Sequence, residues 1–150
     1  MVKEELIMKY VVLLDALQNK ARIIRCLNDA EVLDTCYNLI GCDTIQLVPL
    51  WPDRLEKGFA AVCDEDTFGK VPVINPLASW LYGTDQHGQP VTRNALIWKT
   101  VPDDFDFMSP AEAHHIADLL NKSAEEIFTK VLDGISKGIT NKDVSVPATP

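Results

Sequence analysis

Apolar positions change period several times along this chain, and each change marks an element. In MKYVVLLDALQNKARIIRCL, residues 10–14 and 22–26 are rich in β-branched residues and flank Gln18, Asn19 and Lys20, which predicts a hairpin. The next stretch, NDAEVLDTCYNLIG, shifts to helical spacing at Val32, Leu33, Cys36, Leu39 and Ile40. Asn28 or Asp29 is the expected cap, Asp29 and Glu31 suit the positive end of a helix dipole, and Gly41 suits its exit. DTIQLVPLW predicts a third strand with Ile45, Leu47 and Pro49 on one face and Gln46 and Val48 on the other. KGFAAVCDE and NALIWKTV predict two more strands. Between them NPLASWLYG predicts a short helix, with Asn75 as cap, Pro76 in the first turn and Gly83 at the end.

The last pattern is the longest. From Ala113 through Ile116, Leu119, Leu120, Ala124, Ile127, Phe128, Val131, Leu132 and Ile135 the steps are mostly three and four, a stripe of about seven turns. Ser109, Pro110 and Glu112 form a capping-box start, and Asn121, Lys122 and Ser123 are a candidate break. The PDDFDFMSP segment before it, residues 103–106 in particular, is a candidate hinge. The pattern predicts an α+β domain: a small, mostly antiparallel sheet of about five strands with helices on one face, plus a long C-terminal helix. Residues 1–120 are expected to form the domain, 121–140 a helical extension and 141–150 a flexible tail. A stripe this long outruns a domain of this size. Residues Ile127, Phe128, Val131 and Leu132 are therefore the expected contact of a homo-oligomer, with a fold-back at Ser123 as the competing outcome.

Charge changes the picture of partners. The 150 residues carry a formal net charge of −8, all of it within residues 1–120, since 121–150 are balanced. Such a surface repels nucleic-acid backbones and suits docking onto a basic protein. Cys26, Cys36, Cys42 and Cys63 form no CxxC pair, and no histidine has the spacing to complete a zinc site. The opening MVKEELIMKYVVLLD suits neither a secretory signal nor a membrane span, so reduced thiols and a cytoplasmic location are expected.

Candidate chemistry is sparse. Asp64, Glu65 and Asp66 form an oxygen-rich loop without the later glutamate of a calcium loop, and no metal or cofactor is expected. His114 and His115 are adjacent, so they point about 100° apart and cannot share one metal. His87 lies in a DQHGQP turn. No nucleophile elbow, phosphate loop or dinucleotide fingerprint is present, and no catalytic residue is assigned. The one constellation that suits a ligand is Asn75, Trp80, Tyr82 and Arg93: rings to stack on a base, a guanidinium for phosphate and an amide for the base edge. Asn75 is accounted for wholly as a helix cap.

The run IGCDTIQLVPL, with GFAAVCDEDTFGKVPVINPLASWLYG and TRNALIWK, resembles the family catalogued as domain of unknown function 3846. Ile40 and Gly41, Asp64 and Glu65, Asn75 and the 78–82 segment match its pattern, over residues 8–101, while Asn94 stands where glycine is often seen. The resemblance implies a setting in phages, plasmids and conjugative elements, and it implies no activity. Together these expectations describe a non-enzymatic acidic interaction protein that docks on a basic host protein, such as a defence protein. A nucleotide-binding or sequestering protein is the alternative, and an enzyme of unknown type the third.

Overall fold

The computed structural model describes residues 8–145, with side chains described to residue 138. Strands β1 (Lys9–Asp15) and β2 (Lys20–Cys26) form the expected hairpin. Asn19 closes its turn in the left-handed conformation (φ 51°), which asparagine tolerates. With β3 (Ile45–Leu47), β4 (Phe59–Asp64), β5 (Ala95–Val101) and β6 (Asp104–Asp106) they build a six-stranded antiparallel sheet. The strand order is β2-β1-β5-β4-β3, with β6 paired to β5. On one side of β5, β1 pairs with Ala95, Leu96 and Ile97 and β6 with Lys99, Thr100 and Val101. The expected hinge at 103–106 is thus a strand, reached by a tight turn in which Asp103 has φ 63°.

Two apolar layers hold the sheet. Val12, Leu14, Ala61, Cys63 and Ile97 face α2 (Pro76–Tyr82), α4 (Pro110–Lys122) and α5 (Ala124–Ser145). Val11, Leu13, Val62, Leu96 and Trp98 face the other way. There Cys36 and Ile40 cover them from α1 (Val32–Cys36) and the π-helical turn Tyr37–Gly41 that continues it. Helices therefore lie on both faces, where one was expected. Helix α1 also begins later than its pattern suggested. Glu31 is its N-cap and makes no side-chain capping bond, because Asn28 and Asp29 are taken up in a turn closed by Ala30 N–H to the Leu27 carbonyl.

In β3 the expected alternation holds, with Ile45 against one apolar layer and Val48 in the other. Val48 is buried and Leu47 is exposed. Val48 N–H donates to the Ala61 carbonyl at 2.9 Å, which carries the ladder one residue further and sets Val48 in the cluster beneath α2. The short helix behaves as its sequence dictates, Asn75 capping it and Gly83 ending it at φ 95°.

The long stripe breaks where a break was possible. Helix α4 starts from the full Ser109 and Glu112 capping box and ends at Ser123, and α5 restarts with Ile127 N–H on the Ser123 carbonyl. Ile127 and Val131 are buried with Leu77 and Leu81 of α2, so half of the expected oligomer contact is internal core. Phe128 and Leu132 stay about two-fifths exposed, at 41 % and 42 %. Through Ile127, Val131 and Ile135 the expected helical extension accordingly packs on the domain. Helix α5 continues to Ser145, and the remainder of the expected tail lies outside the described residues.

Candidate functional site

The four residues expected to bind a nucleotide do not converge. Asn75 is fully buried and every polar atom of its side chain is committed. Its Oδ1 accepts from Ala78 N–H at 3.0 Å, and its Nδ2 donates to the carbonyls of Leu14 and Arg93, both at 2.9 Å. It ties the start of α2 to β1 and to the approach to β5. Trp80 lies half-buried beneath Arg54, whose guanidinium is 4.8 Å from its ring centroid. Arg54 donates to the Trp80 carbonyl and grips Asp85 with both terminal nitrogens, at 2.5 and 2.9 Å. Both side chains of that pair are largely buried, and Arg54 holds the Asp85 carboxyl below the usual carboxylate range.

Tyr82 faces a different neighbour. His87 meets its ring edge-on at 4.5 Å. Nδ1 of His87 accepts from Gln89 N–H at 3.1 Å, so the proton of the neutral ring sits on Nε2, which donates to the Tyr82 carbonyl at 3.0 Å. Tyr82 also lines a cleft of ≈ 350 Å³ with Gln46, Glu65, Thr67 and Thr92, which Arg93 does not line. Arg93 turns away in a left-handed conformation (φ 69°). Its Nε stands 3.8 Å from Asp64 and its NH2 group donates to the Gly41 carbonyl.

The oxygen-rich loop is divided in the same way. Asp64 is drawn inward, where Lys70 Nζ meets it at 2.6 Å, while Glu65 and Asp66 stay exposed. His114 and His115 are both exposed, the latter against Glu56. The cysteines are free thiols, and burial pushes Cys36 up to about 11, too high for a reactive thiolate at neutral pH.

What the fold does assemble is an acidic groove of ≈ 490 Å³ on the face covered by α1. Glu31 and Asp34 stand on one wall, at the start of α1, and Asp104 and Asp106 on the other, along β6. Leu33 and Phe107 supply apolar surface between them. None of the four carboxylates makes an ion pair with a described residue; Asp104 and Asp106 accept only the backbone N–H groups of Phe105 and Phe107. Among the described residues one cation lines the groove. Lys9 sets its ammonium 5.0 Å from the Phe107 ring centroid and donates to the Ala30 carbonyl at 3.1 Å.

No family model matches this chain, and no curated protein or solved structure is significantly similar to it.

The groove residues were visible in the sequence one by one, but not as a set. Glu31 reads as a helix-dipole residue and the aspartates of PDDFDF read as a hinge. Only the pairing of β6 to β5, beside β1, sets those aspartates across from α1. Among the described residues no helix is long and apolar enough to cross a membrane.

Proposed function

We propose that this chain is a binding protein that presents its acidic groove to a basic, lysine- or arginine-bearing surface of another protein. The observation that supports it is the placement of four carboxylates, unpaired among the described residues, on two facing walls around Leu33 and Phe107. Like charges held together raise the local negative potential, and a cationic side chain entering between them relieves it. The Phe107 ring and the Ala30 carbonyl already hold the ammonium of Lys9, which illustrates the contacts a partner's lysine would use. An anionic nucleotide would meet repulsion in this groove, and the residues expected to hold one are spread over separate sites. In the mobile-element setting implied by the family resemblance, the partner would be a basic host protein.

Calorimetric titration of the full chain with a short lysine- and arginine-rich peptide, at low and at high salt, tests the reading. Binding at low salt that weakens about tenfold or more as the Debye length shrinks from ~30 Å to ~10 Å is the expected result. An absence of binding at low salt overturns it.

A further inference from the structure

The outer edge of β2 lies at the end of the strand order. Among the described residues strand β2 pairs with β1 alone and ends the sheet. Backbone groups alternate in direction along an antiparallel ladder, so the direction at one position fixes it at every second residue. In β1, Tyr10 exchanges bonds with Met108, and the Leu14 carbonyl accepts from Asn75, both away from β2. Their cross-strand partners are Arg25 and Ala21, and Val12 between them faces Ile23. The N–H and C=O groups of Ala21, Ile23 and Arg25 therefore point off the edge of the sheet.

The first of these is filled in a telling way. The Asn121 side chain accepts from Ala21 N–H and donates to the Ala21 carbonyl, both at 2.8 Å. This is the pair of bonds that a residue of an added strand would make. The next two positions, Ile23 and Arg25, have no such partner among the described residues. Charge then selects the occupant. The strand KARIIRC carries Lys20, Arg22 and Arg25 and no acid, although the chain as a whole is acidic. Only Arg22 has an ion-pair partner among the described residues, Asp15 at 3.4 Å. Two copies of β2 paired edge to edge would set these cations against each other, the device by which exposed edges resist self-association. The same charges attract an acidic strand.

We infer that the free edge of β2 docks an extended acidic segment of a partner protein, which adds to the sheet by backbone bonds at Ile23 and Arg25 and is selected by Lys20 and Arg25. The inference does not rest on the acidic groove, whose partner has the opposite charge.

The test is amide NMR on the full chain titrated with a short peptide of alternating glutamate and valine, beside its lysine–valine counterpart and an N-methylated glutamate–valine peptide. The expected result is slowed exchange of the Ile23 and Arg25 amides with the acidic peptide only. Arg25→Glu, which keeps the backbone donors, should weaken the acidic peptide about tenfold. It should also gain binding of the lysine–valine peptide, which a merely misfolded variant would not. Equal binding of both peptides by the native chain, binding of the N-methylated peptide, or unchanged Ile23 and Arg25 amides would each overturn the inference. So would concentration-dependent protection of those amides without peptide, which would make a second copy the occupant.

Discussion

The backbone of Gly134 in α5 lies directly against that of Asp85: a Cβ added at Gly134 would stand 2.4 Å from both Asp85 Cα and the Thr84 carbonyl oxygen. This contact is what lets α5 fold back on α2 and on α3 (Thr84–His87). In an exposed helix, Gly→Ala stabilises by about 1 kcal/mol. Here the added methyl meets backbone, which cannot rotate away, and overpacking of this kind costs about 1–3 kcal/mol. Gly134→Ala should therefore lower stability in denaturant unfolding. Light scattering on that variant should show association, as Ile127 and Val131 become available. Gly138→Ala, whose Cβ would be 3.1 Å from Gly88 Cα, should be milder.

Arg54 and Asp85 hold the same corner by charge. Asp85→Asn leaves the Arg54 guanidinium without its anion in a mostly buried place, which should cost about 3 kcal/mol at neutral pH. Because the folded carboxyl is held below its ordinary value, the unfolded chain binds this proton first as pH falls. The contribution of Asp85 is fully present above the unfolded value of about 4 and is lost as pH drops through the lower folded value. The stability gap between native chain and variant should accordingly narrow below about pH 4 in acid unfolding series.

Asn75 separates a structural from a ligand-binding role. Asn75→Ala orphans two carbonyls and one N–H in the core, which should cost about 2–4 kcal/mol in thermal or denaturant unfolding. Asn75→Asp keeps a good helix cap but turns a carboxylate toward the Leu14 and Arg93 carbonyls, so it should be at least as harmful. Equal stability of the Asp variant and the native chain would contradict this account of the residue.

The elements with strong local signals were legible. The hairpin, the capping box at Ser109 and the Asn75, Pro76 and Gly83 punctuation of α2 were all set by residues within a few positions of one another. The alternation of β3 left open which face is buried at its end, and the long-range bond from Val48 to Ala61 settles it. The oligomer contact misled at Ile127 and Val131, because periodicity reveals that a stripe must be buried without revealing against what. Chemistry was less legible than fold. Trp80, Tyr82 and Arg93 are close in sequence, yet Arg54, Asp64 and His87 draw them to separate neighbours. The acidic groove needs four residues from two distant segments, which only the topology unites.

Under the proposed function this groove, not net charge alone, recognises a basic partner. Two variants with the same net charge separate these possibilities. Asp104→Asn with Asp106→Asn neutralises one wall while keeping side-chain acceptors for Phe105 and Phe107 N–H. Asp43→Asn with Asp118→Asn removes two exposed carboxylates that do not line the groove. Calorimetric titration of both with the same lysine- and arginine-rich peptide at low salt is the direct measurement. The groove variant should bind about tenfold or more weakly than the native chain, while the control stays within about twofold. Equal weakening of the two variants would contradict it.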